Sequence, residues 1–104
     1  MGLLQVQTTF ASPEDAERVA RALVEERLAA CCQIVPGLTS IYLWEGMLRH
    51  EPEVLLLAKT TEARWPELRD RLAELHPYDT PEVIATMLTN VGFEYQAWVR
   101  ECLE

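Results

Sequence analysis

Residues 30–59, Ala-Cys-Cys-Gln-Ile-Val-Pro-Gly-Leu-Thr-Ser-Ile-Tyr-Leu-Trp-Glu-Gly-Met-Leu-Arg-His-Glu-Pro-Glu-Val-Leu-Leu-Leu-Ala-Lys, decide the fold. They read as two long extended runs, Ala30 to Trp44 and Met47 to Lys59, separated by two residues, Glu45-Gly46, of the kind that close a tight hairpin. Pro36-Gly37 interrupts the first run and His50-Glu51-Pro52 the second. Proline inside a strand belongs at an edge or a bulge, so the hairpin should bend or project from the body. Its outer half carries Ile41, Tyr42, Leu43, Trp44, Met47 and Leu48. A monomer does not leave that much apolar surface in water without reason, and an oligomer contact is the expectation.

On the N-terminal side, Leu4, Val6, Thr8 and Phe10 alternate with polar residues, the period of a half-buried strand. Ser12-Pro13-Glu14-Asp15 then starts a helix. Ser12 is the expected N-cap, Pro13 the first helical residue, and Asp15 the partner in a capping box. Ala16, Val19, Ala20, Leu23, Val24 and Leu28 form its apolar stripe, with Glu14/Arg18 and Glu17/Arg21 as outward i,i+4 pairs.

On the C-terminal side, a helix is expected from about Thr61, with Pro66 in its first turn and Trp65, Leu68, Leu72 and Leu75 on one face. It ends at His76, because the residue before Pro77 is pushed out of the α region. Val83 to Leu88 reads as a fourth strand, Asn90-Val91-Gly92 as a turn, and Tyr95, Trp98, Val99 and Cys102 as the stripe of a last short helix. The order β-α-β-β-α-β-α is that of an α+β, ferredoxin-like βαββαβ sandwich with an extra C-terminal helix and a long hairpin between its second and third strands.

The chain has 104 residues, 49% of them hydrophobic, enough for one compact core, so residues 1–104 are read as a single domain. A net charge of −8 argues against nucleic-acid and anionic-membrane partners, which need clustered Lys and Arg. No apolar run approaches the roughly 20 residues of a membrane span, and no signal-peptide pattern opens the chain. A cytoplasmic location is the expectation. Three cysteines, two of them adjacent, make neither a disulfide framework nor a zinc ribbon, and reduced thiols follow.

Chemistry-bearing groups concentrate in His76-Pro77-Tyr78-Asp79-Thr80-Pro81-Glu82, an imidazole, a phenol and two carboxylates on a connection constrained by prolines. The plain alternative is a helix stop with Tyr78 packed over its end. Lys59, the only lysine, ends an apolar run, either as a snorkelling strand-end residue or as a cation in need of a partner. Cys31 and Cys32 point to opposite faces of a strand and cannot jointly hold a metal; one of them should pack in the core. Trp44 at the hairpin tip reads as an anchor against another subunit or a stacking ring. Gly-rich phosphate loops, Cys-x-x-Cys, His-Glu-x-x-His and Gly-x-Ser-x-Gly are missing from the sequence, and the chain is not read as an enzyme.

Leu28-Ala29-Ala30-Cys31, Ile34 to Tyr42, Trp44-Glu45-Gly46, Glu53 to Leu56, Lys59-Thr60, His76-Pro77-Tyr78, Pro81 to Ile84 and Trp98 together resemble the CutA divalent-cation tolerance proteins. The resemblance runs over nearly the whole chain. It implies a homotrimer similar to the PII signalling proteins, in which the hairpin wraps a neighbour. It also implies a cytoplasmic role in tolerance to copper and other divalent cations. Carried over by residue, it points to Cys31, Trp44, Glu53, Lys59, Tyr78, Glu82 and Trp98 around an intersubunit cleft that takes a divalent cation or a small ligand, and to His76 as the metal-ligand candidate. Thr8 and Leu75 stand where some copper-associated members carry a cysteine and a second histidine, which removes two soft ligands. If Lys59, Tyr78 and Glu82 converge in that cleft, counting neighbouring subunits, a nearby carboxylate holds the lysine charged for a polar or anionic ligand, the plain alternative being a structural ion pair. Two further readings stay open, an enzyme using Lys59, His76, Tyr78 and Glu82 as acid-base groups, and a structural trimer that serves as a scaffold.

Overall fold

The computed structural model describes residues 2–104. The elements run β1 (Leu3–Phe10), α1 (Pro13–Glu25), β2 (Cys31–Trp44), β3 (Met47–Thr61), α2 (Trp65–Leu75), β4 (Ile84–Leu88) and α3 (Phe93–Leu103). The sheet order is β2-β3-β1-β4, and every neighbouring pair is antiparallel. This is the ferredoxin-like arrangement that the element order implied.

The hairpin closes as its sequence requires. Trp44 pairs with Met47, and both turn residues have positive φ, 51° at Glu45 and 78° at Gly46, as a type I′ connection demands. Pro36 and Gly37 form a bulge: Val35 faces Leu55 and Leu38 faces Glu53, so these two residues of β2 stand opposite Val54 alone, one more than the ladder needs. Gly37 has φ 81°, a conformation that a side chain would resist.

Burial of one face of each strand builds the core. Val6 and Phe10 of β1 and Val54, Leu56 and Ala58 of β3 pack under Ala16, Val19, Ala20 and Leu23 of α1 and Leu68 and Leu72 of α2. Ser12 caps α1 by accepting the Asp15 N–H at 3.1 Å. The carboxylate of Asp15 turns to Arg18 at 3.3 Å, and that contact replaces the expected Glu14/Arg18 pair; Glu17–Arg21 forms at 2.8 Å. Val24, expected in the stripe, is exposed, because α1 ends there in a Schellman motif. Leu28 N–H reaches the Leu23 carbonyl at 2.9 Å and Arg27 N–H that of Val24 at 3.0 Å, with Arg27 at φ 58°.

Two expectations are corrected. Helix α2 starts at Trp65 rather than at Thr61, because the Thr61 side chain and carbonyl both accept the Arg64 N–H and hold residues 61–64 as a turn. The buried residues of α3 are Val99 and Leu103, whereas Tyr95 and Trp98 stay exposed. Helix α3 packs with Leu3 and Ala30 in a separate small cluster. Leu3 alternates to the opposite face from Leu4 and Val6, so α3 does not join α1 and α2 on theirs. Arg64 fixes its end, donating twice to the Leu103 carbonyl at 3.0 and 2.9 Å.

The remainder of that second sheet face is left without a covering layer by the described residues. It presents Gln5, Gln7, Leu55, Leu57 and Lys59, with Val35 and Ile84 exposed beside them.

Candidate ligand-binding site

Beyond the end of β1 the hairpin continues as an arm with two unlike faces. Alternation puts Ile41 and Leu43 of β2 with Leu48 and His50 of β3 on one face. It puts Ser40, Tyr42 and Trp44 with Arg49, Glu51 and Glu53 on the other. The second face overhangs the 76–82 connection. Between them lies a hollow of about 630 Å³, walled by Tyr42, Trp44 and Tyr78 and edged by Arg49, Glu51, Glu53, Asp79 and Glu82.

Glu53 ties the hollow together. One carboxylate oxygen accepts the Tyr78 hydroxyl at 2.6 Å and the other the Ser40 hydroxyl at 2.5 Å, which joins both strands of the arm to the connection after α2. Burial, reinforced by this negatively charged acceptor, raises the Tyr78 pKa, so the phenol stays protonated at neutral pH. Glu82 accepts from Gln7 at 3.1 Å.

His76 is committed to the fold. Its ring stacks on Phe10 with centroids 4.3 Å apart and planes 11° from parallel, and it meets Tyr78 at 4.9 Å. The Tyr78 N–H donates to Nδ1 at 3.1 Å, so Nδ1 carries the lone pair and the proton sits on Nε2. Nε2 then donates to the Thr9 carbonyl at 2.9 Å, with the Thr8 hydroxyl 3.0 Å away. Burial lowers the His76 pKa and keeps the ring neutral. Both nitrogens are engaged, and neither faces the hollow as a free ligand.

Cys31, Lys59 and Trp98 form a second group. Cys31 and Lys59 are register partners. The Cys31 thiol meets the Tyr95 hydroxyl at 3.2 Å, and the Tyr95 ring lies 5.7 Å from that of Trp98. Lys59 donates to Gln33 at 3.3 Å, and among the described residues no ion pair joins it to Glu82. Lys59 is separated from Glu53 by six steps of β3, about 20 Å at ~3.3 Å per residue. Tyr78, bound to Glu53, is therefore far from Lys59 along the strand, and Lys59, Tyr78 and Glu82 do not form one contact within a single chain. Cys32, pointing the other way, packs against the core, and burial pushes its pKa up to about 12.

Arg49 and Glu51 were not singled out as site residues, and Tyr42 was read only as part of the arm's apolar surface, whereas Asp79 stood in the proline-bounded connection. Alternation back from Glu53 would have found Glu51 and Arg49, which share its face. Among the described residues no three His, Cys, Asp or Glu side chains converge as a metal site, and no helix is long and apolar enough to cross a membrane.

The model of one family, the CutA1 divalent ion tolerance protein, matches residues 4–102. The divalent-cation tolerance protein CutA of Thermus thermophilus is 51% identical over 96 residues, covering 92% of this chain and 93% of that one. Human protein CutA is 44% identical over 89 residues, and the chain spans 50% of its length. Among solved structures, the Thermus thermophilus protein superposes with a TM-score of 0.94 at 48% identity, covering 98% of this chain and 99% of that one. CutA of Xylella fastidiosa superposes with 0.97 at 35%, covering 100% of both.

Proposed function

The chain belongs to the CutA1 divalent ion tolerance family, and from that premise we propose that it acts as a homotrimer with its ligand site between subunits. The observation that carries this reading is the separation of two residue groups in one chain. Trp44, Glu53, Tyr78 and Glu82 line the hollow at the base of the arm, whereas Lys59, in register with Cys31, stands six residues along β3 from Glu53, and Cys31 leads through Tyr95 to Trp98. Copies related by a closed rotation bring one group of each subunit to the other group of the next. The apolar face of the arm and the uncovered sheet face are the surfaces for that contact.

The cleft takes a small ligand in preference to a closed metal cage. A divalent ion needs several convergent oxygen, nitrogen or sulfur donors, and one chain supplies no such set among its described residues. Copper and other divalent cations then bind weakly, at carboxylates, and tolerance acts through the small ligand. A Tyr78 phenol held neutral favours binding over acid-base catalysis. The three free cysteines agree with a reducing, cytoplasmic setting, although two plant relatives are named as chloroplastic and one archaeal relative as periplasmic.

Complementation tests the shared cleft. In cells that lack their own copy, Lys59→Met and Glu82→Gln should each lower divalent-cation tolerance while leaving a folded trimer. Co-expressing the two variants should restore part of it, because mixed trimers contain some intact clefts. Failure of the mixture to restore what either variant loses would place both residues in one subunit's own site and end the intersubunit reading.

A further inference from the structure

We propose that the hollow under the arm binds a small organic cation, an ammonium carried on a compact apolar frame. The proposal rests on this hollow being the ligand site, as above, and names the chemistry of its ligand.

The cavity and its aromatic walls carry the argument. At about 630 Å³ the hollow is of the size that holds small organic ligands rather than a single ion. Tyr42, Trp44 and Tyr78 are three rings on one concave surface, and no other ring covers Tyr42 or Trp44 among the described residues. Trp44 is 52% exposed at the end of its strand. Ring faces carry negative quadrupole charge and attract a cation whose methyl or methylene groups also bury against them.

The charges at the rim choose the same sign. Glu51, Glu53, Asp79 and Glu82 stand against one cation, Arg49, which lies 4.0 Å from Glu51. Lys59 of a neighbouring subunit would add a second cation and leave the rim acidic. Glu53 is fully used by Ser40 and Tyr78 and works as the brace that fixes the phenol. Asp79 makes no hydrogen bond or ion pair among the described residues and is free to meet an ammonium. An anion would face carboxylates, and for a bare divalent ion the carboxylates do not converge as a metal site among the described residues.

Calorimetric titration of the assembled protein tests this with choline and with its neutral isostere, in which carbon replaces the ammonium nitrogen. Choline should bind saturably with a dissociation constant of about 1 mM or tighter, and the isostere about tenfold more weakly. Trp44→Leu and Asp79→Asn should each weaken choline, with sedimentation confirming that the assembly persists. Asp79→Asn removes charge from a side chain the fold does not use, so its result stands even where Trp44→Leu disturbs the arm. Equal affinity for choline and isostere, or no saturable binding by the wild type up to about 10 mM, would overturn the proposal. So would displacement of choline by divalent metal ions with no effect of Trp44→Leu. The complementation result is read independently, so a shared cleft without choline binding contradicts only the ligand class.

Discussion

Val54, Leu56 and Ala58 in the inner half of β3 are 6%, 1% and 1% exposed, whereas Leu48 nearer the turn is 69% exposed and Leu43, its register partner on β2, 71%. Both halves of the hairpin have strand periodicity and branched, apolar side chains. They differ in what lies above them: α1 and α2 cover the inner half, and no described residue supplies a layer for the arm's apolar face. A sheet face is buried only if another layer meets it. The arm's apolar face is thus half of a layer pair, and in the proposed trimer the other half comes from another copy.

The largest effect expected within one chain is in the inner half. Leu56→Ala removes a fully buried side chain and should cost about 3 kcal/mol by denaturant unfolding. Leu43→Ser should leave the chain's secondary structure intact by circular dichroism and act on assembly instead. A loss at Leu43 equal to that at Leu56, in protein already shown to be monomeric, would erase the distinction between the halves.

His76 sharpens the comparison at the boundary where arm, core and connection meet. The unfolded chain takes up a proton on this imidazole near pH 6.5, while burial against Phe10 keeps the folded ring neutral to lower pH. The unfolded state therefore binds more protons in that window. His76's contribution is at its full value above about 6.5 and declines as pH falls below that toward the lowered folded value. His76→Ala should flatten this part of the stability profile and cost about 2 kcal/mol at neutral pH, through the lost stack and hydrogen bonds. An unchanged profile would mean that the ring is solvated.

Much of the body was legible because its signals are local and strong. Ser12-Pro13 fixed the start of α1, Glu45-Gly46 the turn, and Pro36-Gly37 the bulge. The start of α2 was misplaced by four residues because a threonine hydroxyl can hold a turn as readily as begin a helix. The stripe of α3 was misread because only the small cluster around Leu3 and Ala30 receives it, which leaves Tyr95 and Trp98 outside. Of the candidate site, Tyr78 and Glu82 stood out on the proline-bounded connection and Trp44 at the hairpin tip, whereas Glu53 came from family resemblance. Their meeting place depends on how far the arm overhangs the 76–82 connection. Spacing alone does not show that His76 stacks on Phe10, far away in the chain, and is spent there.

Smaller effects test the brace and the backbone. Glu53→Gln keeps the size but leaves one neutral carbonyl acceptor and replaces the other with an N–H donor, and should cost about 1 to 2 kcal/mol as the charge-assisted bonds from Tyr78 and Ser40 are lost. Thermal unfolding unchanged by Glu53→Gln would show that the arm is not tied to the connection after α2. Arg27→Gly should stabilise by about 0.5 to 1 kcal/mol, since φ 58° at the end of α1 suits glycine and strains arginine. A destabilised Arg27→Gly would mean that the arginine side chain contributes more than its backbone strain.

The central claim is that the arm's apolar face is covered by other copies of the chain. Sedimentation velocity, comparing the wild type with Ile41→Ser/Leu43→Ser, tests it directly. The account predicts a single species of three chains for the wild type and a shift to folded, smaller species for the double variant. A wild type that sediments as a stable, folded monomer at low micromolar concentration, unchanged by the substitutions, would contradict it.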